Sequence, residues 1–148
     1  MKLNIRLLIL LAVLLALPLS ACGAQIPVTG EEAKPVQLEP IEGTDLNHLT
    51  LTEQAAERLG LETAPILARQ VDGTERLVIP YAALLYDPSG QAWVYVSEEP
   101  LVFTRQEITV DFIQGDEVIL TEGPEAGVNV VTLGSTELFG SESEFEEE

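Results

Sequence analysis

Two stretches decide the fold, Leu77-Val78-Ile79-Pro80 and Ala92-Trp93-Val94-Tyr95-Val96. Side chains alternate with a period of two in both. Leu77 and Ile79 share a face until Pro80 ends the pairing; Trp93 and Tyr95 point to one side of an extended chain, and Val94 and Val96 to the other. Between them Asp87-Pro88-Ser89-Gly90 carries proline at its second position and glycine at its fourth, which suits a type I turn. Working outward, further strands are expected at about 101–112, 118–121 and 128–133. Gln114-Gly115-Asp116 joins the first two, and the glycine- and proline-bearing run 122–127 joins the last two. Upstream, Thr50-Leu51-Thr52-Glu53 sets a capping-box pattern before Gln54–Leu59, where Ala55 and Leu59 share a face and Gly60 can close the helix in the left-handed conformation. The expectation is a mostly β domain, a small antiparallel sheet or partial barrel with one short helix. The 10–15-residue helical patterns that would carry parallel crossovers are missing.

The ends of the chain have a different character. Residues 1–21 combine a basic start (Lys2, Arg6), an apolar run from Leu7 to Leu17 and the close Pro18-Leu19-Ser20-Ala21 before Cys22. The run is too short to span ~30 Å of hydrocarbon but suits the core of an export signal. Leu19-Ser20-Ala21-Cys22 resembles the bacterial lipobox, which makes residues 1–21 a lipoprotein signal peptide and Cys22 the acylated first residue of the mature chain. The lipid bilayer is then a partner through acylated Cys22, because each buried CH₂ of an acyl chain contributes ~0.8 kcal/mol. The protein is expected outside the cell membrane, anchored to its outer face. Gly23 after the cysteine, where aspartate would retain a lipoprotein, leaves the outer membrane open in a two-membrane host. Residues 22–47 hold three prolines, no aromatic residue and no sustained period, and read as a flexible tether. Residues 48–134 form the domain, and 135–148 read as a solvated acidic tail in which Leu138 and Phe139 offer the main apolar contact.

The 148 residues carry 25 acidic against 7 basic side chains, a formal charge of −18 that becomes −20 once Lys2 and Arg6 are removed. Such a chain repels phosphate backbones, so nucleic acid is excluded as a partner class. The lone Cys22 precludes an internal disulfide and a cysteine-based zinc site. Chemistry has little to work with. His48 is the only imidazole and reads as a polar residue at the domain's start, no Gly-x-Ser-x-Gly elbow is present, and the paired carboxylates Glu98-Glu99 and Asp116-Glu117 fall in expected turns. The acidic end lacks the alternating ligands and turn glycine of a calcium loop. The expectation is a non-enzymatic protein with no metal and no cofactor.

Three blocks resemble the C-terminal half of the periplasmic adaptor subunits, or membrane fusion proteins, of resistance-nodulation-division efflux pumps. They are Ile79-Pro80-Tyr81-Ala82-Ala83-Leu84 followed by Trp93-Val94-Tyr95-Val96; Phe103-Thr104-Arg105 leading to Ile108-Thr109-Val110; and Gly123-Pro124-Glu125-Ala126-Gly127 through Val130-Val131 to Gly134. Leu49 to Pro65 is similar to the stretch with which many adaptors enter their barrel. The resemblance covers roughly 48–138 and departs from the family in one large respect. Only 14 residues separate Pro65 from Pro80, which leaves no room for lipoyl half-motifs or the long helical hairpin. Pro124 and Val128 stand where the family favours Leu and Glu.

The resemblance implies a truncated adaptor holding the barrel and membrane-proximal parts, whose partner is the inner-membrane transporter of an efflux system. Tyr81, Trp93 and Tyr95 are the candidate partner-contact residues. Two alternatives have other consequences. A small-molecule-binding module needs a concavity above ~300 Å³ in the barrel mouth, whereas a degenerate adaptor remnant needs only a fold. Replacing Cys22 by serine is expected to abolish palmitate labelling and block lipoprotein processing; a Cys22→Ser chain that still labels would refute the lipobox.

Overall fold

The computed structural model describes residues 34–146. Cys22, the signal peptide and the first part of the tether lie outside the described residues. Among the described residues the architecture is mostly β, with eleven strands in two antiparallel sheets and two α-helices. In chain order these are β1 (Val36–Pro40), β2 (Asn47–Leu51), α1 (Glu53–Leu59), β3 (Glu62–Pro65), β4 (Leu67–Val71), β5 (Thr74–Pro80), a 3₁₀ turn (Tyr81–Ala83), β6 (Leu85–Tyr86), β7 (Ala92–Glu99), β8 (Val102–Glu107), β9 (Thr109–Gln114), β10 (Glu117–Glu122), β11 (Asn129–Leu133) and α2 (Ser135–Glu146). The larger sheet runs β1-β2-β8-β7-β11-β3, with β6 added to β7; the smaller runs β4-β5-β10-β9.

The alternation of β7 organises the layers. Ala92, Val94 and Val96 join Ile66, Ile79, Ile108, Val118, Leu120 and Val130 in a core between the two sheets. Trp93 and Tyr95 point the other way, into a second core with Leu49, Leu51, Phe103, Val131 and Leu138 that α1 and α2 help close. Adjacent residues of β11 divide in the same manner, Val130 to the first core and Val131 to the second. The result is three layers: small sheet, large sheet and helices.

The chain changes sheet at single buried residues. Ile66 lies between β3 of the large sheet and β4 of the small one; its N–H donates to Val128 O and its carbonyl accepts from Gly127 N, both at 2.8 Å. Ile108 does the same between β8 and β9, donating to Ala92 O at 3.0 Å. The single strand expected over 101–112 is therefore two strands in different sheets, broken where Ile108 turns into the core.

Between Pro65 and Pro80 stands a hairpin, β4 and β5 joined by Asp72-Gly73, whose φ values of 50° and 81° are those of a type I′ turn. Helix α1 forms near its expected place, but its N-cap is Thr52, whose hydroxyl accepts from Ala55 N at 3.2 Å, while Thr50 is taken into β2. Gly60 closes it at φ 64° as its left-handed C-cap.

Both expected boundaries of the domain move outward. Residues 36–40, placed in the tether, pair with β2 in register Val36↔Leu51 to Pro40↔Asn47, because Val36 and Leu38 complete the second core. The stretch expected as a solvated tail is helical over 135–146, and Leu138 and Glu142 are 0% and 1% exposed. Ser135, Leu138, Phe139 and Glu142 recur at helical spacing, so one face turns inward despite the acidic composition. Gly134 makes the corner into α2 at φ 92°, so any other residue there is strained and its Cβ would have to displace the Leu61 side chain.

The helix is fastened by charge as well as by Leu138. Glu142 Oε2 accepts from the Tyr95 hydroxyl at 2.6 Å and stands 3.3 Å from Arg105 Nε. Replacing Glu142 by alanine leaves the Arg105 guanidinium buried without its carboxylate, and a broken buried pair costs about 3–5 kcal/mol. Urea denaturation followed by Trp93, the single tryptophan, should read that loss; a change below ~0.5 kcal/mol, typical of surface sites, would mean that α2 is not held there.

Candidate functional site

The three candidate contact residues do not form one surface. Tyr81 sits at the start of the 3₁₀ turn, its N–H donating to Asp116 O at 2.8 Å, and its ring is 53% exposed. Tyr95 is 0% exposed beneath α2 and is unavailable to a partner in this state; that candidate is corrected. Trp93 is half-buried on the same face of β7. The reason is the alternation itself: a strand with a core on either side buries both of its faces, so bulky residues on β7 become packing.

Trp93 and Arg105 form the most constrained cluster in the domain. Arg105 lies opposite Tyr95 across the β7–β8 pair, with its guanidinium 4.6 Å from the Trp93 ring centre and 5.2 Å from that of Phe139. Cation–π contacts of this kind contribute about 0.5–2 kcal/mol as desolvation increases. Arg105 Nε and Glu142 Oε1 have no aligned hydrogen-bond partner, so stacking and charge hold the arginine more than directional bonds do.

The Trp93 indole is fixed from the other side by the turn. Its Nε1–H donates to Asp87 Oδ2 at 3.0 Å, while Asp87 Oδ1 accepts from Ser89 N, Ser89 Oγ and Gln91 N at 2.8, 2.6 and 2.9 Å. Gly90 N donates to Asp87 O at 2.9 Å, the bond expected of a type I turn over 87–90. The Ser89 hydroxyl foremost, then the indole and the backbone N–H groups, stabilise the ionised carboxylate against partial desolvation and lower its pKa to about 2.

His48 is exposed, and its Nδ1 lies 2.7 Å from Thr104 Oγ1. With Glu39, Thr50, Glu99 and Val102 it lines an open cleft of about 370 Å³ on the part of the large sheet beyond the inter-sheet core. Apart from Val102 its lining residues carry polar groups, and Phe103 faces away from it into the second core. A smaller apolar hollow of about 270 Å³ lies at Pro65, Leu67, Val78 and Pro80, beside the ion pair of Arg69 with Glu117. Among the described residues no group of three or more His, Cys, Asp or Glu could hold a metal ion, and no helix is long and apolar enough to cross a membrane.

Several apolar side chains remain in water that sequence reasoning did not single out. Leu67, Tyr86, Phe112, Ile113 and Leu133 are 38–52% exposed. Leu67, Val78, Ile119 and Phe112 stand in one cross-strand row on the outer face of the small sheet, of which Val78 and Ile119 are buried and only the end members Leu67 and Phe112 are exposed. Asp72-Gly73 is the signal that could have placed β4, and with it this row. A scan against protein-family models finds none that matches, and searches of curated proteins and of solved structures return no match.

Asp87 supplies a measurable pH dependence. Its pKa is lowered on folding, so its stabilising effect is present above the unfolded carboxylate value of ~3.9 and is lost as pH falls through the folded value. Trp93 emission should titrate with a midpoint of about 2, and Asp87→Asn should remove the transition. A midpoint near 4 would show that the indole does not sense this carboxylate.

Proposed function

We propose that the protein is a lipid-anchored exported lipoprotein whose β domain acts without catalysis, by contact with an inner-membrane transporter of an efflux system. The observation that carries the reading is the exposure of large apolar residues on a domain whose two cores are already filled. Tyr81 at 53% is the most exposed of them and stands in the block that resembles the adaptor family. Partner surfaces are enriched in aromatic residues that the fold does not need internally. The lipobox-like segment ending at Cys22 supports placement beside a membrane, where such a contact can form.

The efflux partner rests on the resemblance over 48–138. That stretch contains the inter-sheet crossings and the β7 strand, while the region between Pro65 and Pro80 holds only a two-stranded hairpin. A protein of this kind would touch a transporter near the bilayer without building a conduit to an exit channel.

A second reading, a small-molecule-binding lipoprotein, is supported by the cleft at His48. Its volume passes the ~300 Å³ expected of a ligand site, and its carboxylates Glu39 and Glu99 suit a cationic ligand. It is open and lies outside the expected barrel mouth, which places this reading second.

Affinity capture of the detergent-extracted, acylated chain separates the two. A transporter enriched by the wild-type protein, and at least about threefold less by Tyr81→Ala, is the outcome expected for an exposed interface aromatic. Capture that never enriches a transporter would overturn the proposal.

A further inference from the structure

Among the described residues the terminal strands of the two sheets are β1, β3, β4 and β9, beside the two-residue β6 on β7, and they are not equally protected. Exposed edges invite pairing unless they are short or carry proline or charge. Strand β1 ends in Pro40 and follows Pro35, β3 is four residues long and ends in Pro65, and β4 has Arg69 at its centre. Strand β9, Thr109-Val110-Asp111-Phe112-Ile113-Gln114, is the longest of the four and holds no proline, glycine, lysine or arginine; its one charge, Asp111, stands at a bulge outside 112–114 and is paired with Arg76.

Its side chains support the same conclusion. Phe112 belongs to the outer row with Ile119, and Ile113 stands opposite Val118 on the inner face; they are 38% and 45% exposed. A strand with apolar residues left in water on both faces has the character of an interior strand that lacks a second neighbour among the described residues. Its pairing groups are available as well. Gln114 and Glu117 flank a two-residue loop, so they form the hydrogen-bonded pair and Ile113 directs its N–H and carbonyl away from β10. Asp111 bulges out of register beyond Phe112, which confines regular pairing to 112–114.

We propose that the edge of β9 over Phe112–Gln114 is the docking site for an extended, basic segment of a partner protein, which adds a fifth strand to the small sheet. Charge selects that occupant. This sheet and its turns hold six carboxylates, from Asp72 to Glu122, against two arginines. Both arginines are engaged, Arg69 with Glu117 and Arg76 with Asp111 at 3.7 Å. A second copy brings the same excess and is repelled, whereas a strand flanked by Lys or Arg is attracted. Three residues of pairing make a weak contact by themselves. A lipid anchor that confines both proteins to one membrane raises their effective concentration and makes it sufficient. The inference thus names the surface used in the proposed function and rests on that reading.

The test uses the full acylated chain in intact cells, with a photo-crosslinking amino acid at Ile113 and, for comparison, at Gln37 of β1 and Thr63 of β3. The expected adduct forms from position 113 alone, joins the transporter, and maps to a segment bearing Lys or Arg. Ile113→Pro and Ile113→Lys, probed from position 114, should each lower the adduct about tenfold, since proline removes an outward N–H and lysine guards an edge. Circular dichroism and Tm should stay close to wild type for at least one of them. A homodimer adduct, adducts from 37 or 63 instead, or unchanged yield in both variants would overturn the inference. Transporter enrichment in affinity capture without an adduct at 113 would sink the edge site alone; loss of both would sink the functional reading with it.

Discussion

The structure depends on one constraint, that β7 must bury both of its faces. A strand at the junction of two cores has no solvent side, so each residue from Ala92 to Val96 has to fit a packed layer. Small and β-branched residues meet the other sheet, where strands approach closely and Ile66, Ile79, Val118 and Leu120 fill the space. Bulky Trp93 and Tyr95 meet the helices, where more depth is available. Exchanging the two sets by a one-residue slip would force an indole and a phenol between the sheets. The alternation thereby fixes the register of β8 on one side and of β11 on the other.

That choice has a polar consequence. An interior tyrosine brings a hydroxyl that needs a partner, and the second core supplies Glu142, which in turn requires a cation. Arg105, directly across from Tyr95, meets the requirement, with Trp93 and Phe139 stacked about it. A buried ion pair is weak evidence for net stability, since apolar residues of equal volume often do as well. What the set of five does supply is geometry: α2 can dock in only one rotation, with Leu138 and Glu142 inward. The helix needs this help, because its acidic sequence interrupted by Gly140 has little propensity of its own.

How much of this was legible follows the range of each signal. Strand periodicity at β7, the 87–90 turn and the Gly60 cap are encoded within a few residues, and each forms near where the sequence places it. The division of 101–112 at Ile108 was not legible, since a residue that leaves one sheet for another keeps its β conformation and shows no break in pattern. The helix over 135–146 was hidden by composition. A run of glutamates reads as solvated unless one of them is matched to an arginine some forty residues upstream, and no local rule contains that pairing. For the candidate contacts, alternation on β7 shows that Trp93 and Tyr95 share a face, but not that helices cover it.

The distribution of basic groups completes the picture. Of the four arginines between 48 and 134, Arg69 and Arg76 tie outer carboxylates across strands and Arg105 lies in the second core. These three are engaged within the fold, so the carboxylates without such a pair set the sign of the field outside it. Surface pairs of this kind add little stability and are screened over about 10 Å at moderate salt. Their effect is to order side chains: Arg69 reaches from the middle of β4 to Glu117 across the row that holds Leu67 and Val78, and shelters part of it. The same row is left open at Phe112, where no cation stands on the edge strand. The small sheet is therefore asymmetric, closed by an arginine at β4 and open at β9, and an anionic surround favours basic groups in whatever approaches the open side.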